Sequence, residues 1–291
     1  MSDINFDNFK VRCSQISVAE ADSLSNPSIT EKQSLRLKEL ESKDKLTDNM
    51  KSEMAELLVK KENSTKNILS DGYIGYLCAE YSYITTGKIA VDKEFLSLDQ
   101  MVKGKIVEPE SIATLCIADG VLYTPNDEKE RVSNDFLTGE VDAYLGESIM
   151  TSTVIPDVKS IWDYPTFLTK INQKLSLANT KQIRGYMDIT GATQGFIADV
   201  LINTPPEVVE SIKWKLMRKL GSATEESPEF LRKWTIIERS MYFDDIPINQ
   251  RVNKKYVEPF TEFERQKIYD KVKYGRDWLC KFHETYKMLN K

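Results

Sequence analysis

The stretch GEVDAYLGESIMTSTVIPDVKS, residues 139–160, decides the predicted fold of this chain. It covers most of two short β-prone runs, FLTGEVDAYLG at residues 136–146 and STVIPDVKSIW at residues 152–162, which are bounded by Gly, Pro and Asn and favour strands. Asp142 ends the first predicted strand, and Asp157 and Lys159 lie two apart in the second. Because residues two apart in a strand point to the same face, Asp157 and Lys159 share one side of the sheet. If the two strands pair as a hairpin, Asp142 lies beside them.

Helical patterns surround these strands on both sides. A third apolar run, GFIADVLINTP at residues 195–205, follows a segment that is long enough for helical crossovers. Upstream, sparse Leu and Met anchors in charged sequence predict a helical hairpin within residues 1–65, and then a buried helix that ends at Gly87. Downstream, three helices are predicted, the last with a capping box formed by Thr261 and Glu264. The pattern indicates an α/β fold with a small sheet flanked by helices, in one domain.

A further acidic residue lies at a predicted helix break in SLDQMVKGKIVEPESIATLCIADG, residues 97–120. Ser97 and Gln100 have the spacing of a capping box, and the apolar residues that follow suit a helix. Pro109 interrupts that helix because proline lacks the amide donor and clashes with the preceding turn. The sequence therefore predicts a kink near Glu108, which could complete a cluster with the strand carboxylates.

The composition excludes several classes of site. The 291 residues carry 40 Lys and Arg against 45 Asp and Glu, a formal net charge of −5, which argues against a protein that coats nucleic acid by charge alone. There is one histidine, His283, which we expect at a helix surface, so histidine-rich metal sites and most Ser–His and Cys–His nucleophiles are excluded. Any enzymatic chemistry must rest on carboxylates, Lys, Tyr or Gln.

Cysteine usage and hydropathy predict an intracellular protein. The four cysteines are far apart without a C-x-x-C pair, so we expect reduced and mostly buried thiols. No apolar run approaches the length of a membrane span, and the polar, acidic start MSDINFDNFK does not have the pattern of a signal peptide.

The acidic residues and the lysine of these strands suit a hard divalent cation. Glu108, Asp142 and Asp157 are the oxygen donors that Mg²⁺ or Mn²⁺ prefers, and such an ion activates a water for attack on a phosphodiester. Lys159 would orient or deprotonate that water, and no histidine is needed.

A structural salt bridge between Asp157 and Lys159 is the competing interpretation. If these two residues were the only evidence, we would prefer the salt bridge to a metal site. An acidic residue two before a lysine also occurs at Glu41 with Lys43 and at Asp127 with Lys129, so the pattern has little weight. Those copies lie in hydrophilic sequence. Asp157, by contrast, follows an apolar run, where a buried charge is costly unless it is paired or bound to metal.

Four segments in order carry a family resemblance: KGKIVEPESI, GEVDAY, IPDVKS and QIRGY, beginning at residues 103, 139, 155 and 182. Together they resemble the PD-(D/E)XK nuclease superfamily, and more narrowly the YqaJ or lambda-type phage recombination exonucleases. The likeness covers about residues 95–210. It implies a restriction-endonuclease-like core, with a small central mixed β-sheet flanked by helices. Helical additions at residues 1–65 and 211–291 would complete a single nuclease domain over residues 1–291.

The resemblance also implies roles for individual residues. Those matching the family's catalytic set are Lys159, Asp157, Asp142, Glu108 and Gln182. The implied ligands of Mg²⁺ or Mn²⁺ are Glu108, Asp142, Asp157 and the Val158 carbonyl. Two further residues match positions expected to act on DNA: Arg12, in the segment FKVRCSQIS that is similar to the family's 5′-phosphate segment, and Tyr186. Ordinary helix packing is the alternative for Gln182 and Tyr186. The superfamily's Pro is replaced by Val141.

The resemblance implies a 5′→3′ double-strand DNA exonuclease of a phage recombination system, in the cytoplasm of a phage-infected or prophage-bearing bacterium. Its partners would be double-stranded DNA ends, a single-strand annealing protein and further copies of the chain in a ring. Two alternatives stay open: a catalytically silent nuclease-fold protein that binds nucleic acid or a partner, and an endonuclease or nickase on the same fold. Residues 211–291 carry 18 Lys and Arg against 12 Asp and Glu, a basic segment that could contact phosphates.

Overall fold

A computed structural model describes residues 4–23, 26–66, 69–89, 99–221 and 224–289. The chain divides into two compact units. The first contains Met1–Ala90, Ser133–Thr138 and Phe260–Lys291, and the second contains Val91–Val132 and Gly139–Pro259. The organisation of residues 1–291 as a single domain stays a prediction.

The described residues form helices and short strands. The α-helices are α1 (Ile16–Glu20), α2 (Glu31–Glu41), α3 (Asp48–Thr65), α4 (Asp71–Thr86), α5 (Asp99–Ile106), α6 (Glu108–Asp119), α7 (Tyr164–Asn172), α8 (Leu177–Thr190), α9 (Pro206–Leu220), α10 (Pro228–Arg239) and α11 (Glu262–Leu289). The strands are β1 (Val11–Arg12), β2 (Tyr123–Pro125), β3 (Val132–Ser133), β4 (Leu137–Gly139), β5 (Ala143–Leu145), β6 (Val154–Ile161), β7 (Gln194–Leu201) and β8 (Val252–Val257). Short 3₁₀ turns lie at Cys13–Gln15, Ile149–Thr151 and Ile248–Gln250. Among these helices, none is long and apolar enough to cross a membrane.

The predicted N-terminal hairpin is confirmed as α2 and α3. Thr30 caps α2 through a capping box with Gln33, because each side chain accepts from the other residue's backbone amide. The buried side chains Leu37, Leu40 and Leu57 form one apolar cluster between the two helices. Helix α4 ends at Gly87, as predicted, where a φ of +70° requires the left-handed conformation that glycine adopts without strain.

Pro109 divides the predicted kinked helix into two helices. Helix α5 ends at Ile106, and α6 begins at Glu108 with Pro109 in its first turn, where a missing amide donor costs nothing. The break therefore lies where the sequence predicts it. Ser97 of the expected capping box lies outside the described residues.

The predicted strand over residues 136–146 is wrong as a single strand. The structure divides it into β4, which pairs in parallel with β1, and β5, which pairs antiparallel with β2. Asp142 consequently precedes β5 rather than ending a strand, and β5 pairs with β2 instead of forming the expected hairpin with β6. The segment breaks because its two parts have partners in different sheets.

A three-stranded mixed sheet forms the centre of the second unit. Strands β6 and β7 are parallel, connected through α7 and α8, and β8 adds antiparallel to β7. Ile112 and Leu115 of α6 pack against Val158, Phe196 and Ala198 on one face of this sheet. The opposite face carries Asp157 and Lys159 among buried apolar side chains such as Ile155, Ile197 and Leu201. The predicted small mixed sheet flanked by helices is confirmed.

The single histidine is buried, so the expected surface position is wrong. His283 of α11 is 3% exposed, and its Nδ1 lies 2.9 Å from the Tyr81 hydroxyl, with Phe6 packed edge-on against the ring. The expectation of mostly buried thiols is also only partly right, since Cys78 and Cys280 are exposed.

Candidate active site

Asp157 and Lys159 of β6 form the centre of the candidate site. Asp157 is 1% exposed, and the Lys159 ammonium lies 2.8 Å from its Oδ2. Burial lowers the pKa of Lys159, but the carboxylates of Asp157 and Asp142 outweigh that effect and raise it. The ion pair that the sequence left open is therefore present, and it stabilises the charged lysine on the face of the sheet opposite α6.

Asp142 brings a second carboxylate to the same lysine. Its Oδ2 accepts a hydrogen bond of 2.8 Å from the Val158 amide and lies 3.9 Å from the Lys159 ammonium. Burial and the charge of Asp157 raise the pKa of Asp142 to about 7. Two carboxylates thus share one ammonium, so Asp142 keeps its proton to a higher pH than an isolated carboxyl does.

Glu108 is held by a lysine that sequence reasoning did not select. At the start of α6, its Oε1 lies 2.6 Å from the Nζ of Lys129, which comes from the turn after β2. Glu108, Lys129 and Asp142 line one cavity of about 510 Å³. The sequence gives no signal for Lys129 because it lies in a hydrophilic run, NDEKE, that is typical of an exposed turn.

Gln182 and Tyr186 of α8 form the wall behind Asp157. The amide nitrogen of Gln182 donates to Asp157 Oδ1 at 3.2 Å and to the Tyr186 hydroxyl oxygen at 2.8 Å. Their spacing of four residues places both on one face of the helix. Gln182 therefore contacts the centre of the site directly, and Tyr186 contacts it through Gln182.

Asp199 of β7 is a further carboxylate on this face of the sheet that sequence reasoning missed. Strand register places it opposite Lys159, and side chains in register on adjacent strands point to the same side. Asp199 is 4% exposed, and its Oδ2 accepts a hydrogen bond of 3.2 Å from the side-chain amide of Asn253. Burial and the charge of Asp157 raise its pKa. A lone carboxylate inside the apolar run FIADVLI is the same signal that singled out Asp157.

The remaining predicted residue, Arg12, belongs to the first unit. It lies in β1 with an exposed side chain, and its guanidinium pairs with Glu80 at 3.0 Å. Its contact with a 5′-phosphate stays a prediction, as do the roles of the Val158 carbonyl and Tyr186.

The donor set suits a hard divalent cation in its chemistry. Asp142, Asp157 and Glu108 offer only oxygen ligands, and among the described residues Asp157 Oδ2 accepts no hydrogen bond of good geometry, so this buried atom has coordination capacity to spare. Within the same described residues, no three Asp, Glu, His or Cys side chains stand close enough together to hold a metal. The ammonium groups of Lys129 and Lys159 occupy the places beside the carboxylates instead.

Solved structures of exonucleases have a fold similar to this one. The chain superposes on a phage-related exonuclease from Haemophilus somnus 129PT with a TM-score of 0.58 at 17% identity, over 96% of this chain and 97% of that one. An alkaline exonuclease from Laribacter hongkongensis gives 0.52 at 12% identity, over 98% and 94% of the two chains. The structure of the same enzyme in complex with dAMP superposes with a TM-score of 0.50 at 13% identity, over 97% of this chain and 93% of that one. The fold predicted from the resemblance is therefore confirmed.

Comparison of the sequence with protein-family models and with curated proteins gave no match.

Proposed function

We propose that this chain is a divalent-metal-dependent deoxyribonuclease that hydrolyses phosphodiester bonds. The observation that carries the proposal is the convergence of Asp142, Asp157, Lys159 and Gln182 on one face of β6, in a fold shared with exonucleases. More narrowly, we propose a 5′→3′ double-strand exonuclease of a phage recombination system.

Mg²⁺ or Mn²⁺ would be held by Glu108, Asp142, Asp157 and the Val158 carbonyl. When bound, such an ion polarises the phosphate and lowers the pKa of a water molecule. Asp157 is fitted to hold a cation because it is buried, fixed at Oδ1 by Gln182, and unshared at Oδ2 except with Lys159.

Lys159 positions the attacking water and holds its charge near the phosphate. The neighbouring carboxylates raise its pKa, so the ammonium donates hydrogen bonds to a water or a phosphate oxygen at neutral pH. Gln182 fixes the carboxylate that in turn fixes Lys159. The chain thus supplies orientation and charge to the reacting phosphate.

Double-stranded DNA ends are the proposed substrate, and the relative with bound dAMP supports nucleotide recognition in this fold. A single-strand annealing protein and a ring of several copies are the proposed partners. The proposed setting is a phage-infected or prophage-bearing bacterial cell.

Substitution of Lys159 tests the site. Lys159→Ala should lower the Mg²⁺-dependent digestion rate of 5′-phosphorylated linear duplex DNA by about 10²–10⁴-fold, because the water loses its positioning group. Lys233→Ala, which removes an exposed lysine paired with Glu229 at 3.0 Å on α10, is the matched control and should digest DNA at the normal rate. Full activity in Lys159→Ala, with an unchanged melting temperature, would contradict the site assignment.

Substrate form and metal uptake separate the alternatives. An exonuclease degrades linear duplex from labelled 5′ ends and leaves covalently closed circles intact, whereas cleavage of circles would indicate an endonuclease or nickase. If the protein digests neither and takes up no Mg²⁺ or Mn²⁺ in calorimetry, the proposal is wrong and the chain is a silent nuclease-fold protein.

A further inference from the structure

Lys129 occupies a position that its local sequence does not explain. Its ammonium contacts Glu108 at 2.6 Å, while its backbone has a φ of +51°, a conformation that non-glycine residues rarely adopt. Its side chain is 59% exposed and lines the same cavity as Glu108 and Asp142. The surrounding structure must hold the residue there, since a left-handed backbone conformation is strained for lysine.

A buried asparagine fixes the turn that carries Lys129. Asn126 is 5% exposed, and its side-chain amide donates to the carbonyls of Glu130 and Val141, both at 3.0 Å. The Oδ1 of Asn126 accepts a hydrogen bond from the backbone amide of Glu130. The backbone amide of Asn126 donates a hydrogen bond to the Asp142 carbonyl. Because these bonds attach the turn to the backbone beside Asp142, Lys129 is built into the wall of the site.

The ammonium of Lys129 and a divalent cation compete for the same carboxylate. Glu108 is one of the proposed metal ligands, and Lys129 already contacts one of its oxygens. If a divalent cation were held by Glu108, its charge would repel the Lys129 ammonium, and Glu108 would have a stronger partner than the lysine. The displaced ammonium then faces the cavity on an exposed side chain, where the phosphates of a nucleic-acid backbone are the anions that the proposed function brings.

We propose that Lys129 is an exchangeable counter-ion. It neutralises Glu108 in the metal-free protein, gives way when a divalent cation binds, and then contacts a backbone phosphate of the DNA. This inference rests on the proposed function. It adds to that function a residue that links metal binding to DNA binding.

The first test measures metal binding without turnover. Calorimetric titration with Mn²⁺ compares the unaltered protein with Lys129→Met and with the matched control Lys233→Met, which breaks an exposed lysine–glutamate pair outside the cavity. Lys129→Met should bind Mn²⁺ about two- to fivefold more tightly, because the metal no longer displaces an ion-paired lysine. Lys233→Met should not change the affinity.

The second test measures DNA binding by fluorescence anisotropy over a range of salt concentrations. In Ca²⁺, used as a cation for binding measurements, Lys129→Met should reduce the slope of log Kd against log salt by about 0.9, the value for one phosphate contact. In EDTA the slope should be unchanged, since Lys129 is then paired with Glu108.

Each outcome has one meaning. If the unaltered protein takes up no Mn²⁺, the proposed function and this inference both fail. If it binds Mn²⁺ and digests DNA while Lys129→Met has the affinity and salt slope of Lys233→Met, only the inference fails. Lys129→Gly guards against a folding effect, because glycine accepts the positive φ, and it should reproduce the tighter Mn²⁺ binding of Lys129→Met.

Discussion

Gln182 connects helix α8 to Asp157 at the centre of the site. Replacing Gln182 tests whether it positions the Asp157 carboxylate. Gln182→Ala deletes the donor to Asp157 Oδ1 and to the Tyr186 hydroxyl. We expect kcat to fall by about tenfold with little change in KM for DNA, because the variant alters the orientation of Asp157 rather than substrate contacts. The half-saturating Mn²⁺ concentration should rise in the same variant.

Tyr186→Phe is the matched control for that prediction. It removes only the hydroxyl that Gln182 reaches, and leaves the buried ring of α8 in place. Its effect on kcat and on Mn²⁺ dependence should be about twofold or less. Equal losses in the two variants would show that the hydrogen bond between Gln182 and the Tyr186 hydroxyl, and not the Gln182 contact to Asp157 alone, sets the activity.

At the same scale, the sequence predicts residues whose burial is costly and misses those whose position depends on a distant contact. Asp157 could be found because a carboxylate in an apolar strand needs a partner. Asp199 carries the same signal in β7 and could have been found in the same way. Lys129 could not, since its position depends on the hydrogen bonds of Asn126 and on a left-handed turn within ordinary hydrophilic sequence.

At the scale of elements, local signals predict helix ends well and strand partners poorly. The cap at Thr261, the stop at Gly87 and the break before Pro109 are all set by nearby residues, and all lie where expected. The division of residues 136–146 into β4 and β5 depends instead on which strands are adjacent in space. Pairing is non-local, so β-prone composition alone cannot reveal it.

The buried ammonium of Lys103 makes the stability of the second unit depend on pH. It lies on α5, 1% exposed, and donates to the Trp162 carbonyl at 3.0 Å and to Thr204 Oγ1 at 3.2 Å, so it connects α5 to the ends of β6 and β7. Burial lowers its pKa to about 8, against the 10.5 of an ordinary lysine. Between these values the unfolded chain binds the additional proton, so this group makes the free energy of unfolding rise with pH.

Lys103→Met measures that contribution. From pH 7 to pH 10.5, the unfolding free energy of the unaltered protein should rise relative to that of Lys103→Met by about 3 kcal/mol, the free-energy equivalent of this pKa difference. Urea denaturation of both proteins at each pH gives the double difference, in which other titrations cancel. Parallel curves would contradict a lowered pKa at Lys103.

At the scale of the whole molecule, several lysines of the basic segment after residue 210 are paired with carboxylates within the second unit. Lys213, Lys215 and Lys254 contact carboxylates of Glu225, Asp99 and Asp119, each at 2.7 Å. With a net charge of −5 overall, these lysines offer DNA less attraction than their number indicates. The affinity for a DNA end would therefore depend on whether the negative charge of the site itself is neutralised.

DNA affinity should accordingly depend on divalent cations. Above the pKa of Asp142, which is raised to about 7, the carboxylates of Asp142 and Asp157 share one lysine and repel a phosphate backbone until a cation neutralises them. At constant ionic strength, Ca²⁺ should tighten the binding of a duplex end by about tenfold or more, because each charge at contact distance is equivalent to about 1 kcal/mol in water. Anisotropy with and without Ca²⁺ measures this.

The variant Asp142→Asn/Asp157→Asn separates neutralisation of the site from general screening of the DNA. In EDTA, the variant without those charges should bind the duplex end more tightly than the unaltered protein does. Adding Ca²⁺ should increase the affinity of the variant only slightly. A Ca²⁺ response of the same size in both proteins would place the effect on the DNA or elsewhere on the surface. Loss of the response, together with tighter binding in EDTA, would show that the acidic site itself opposes DNA until a cation is bound.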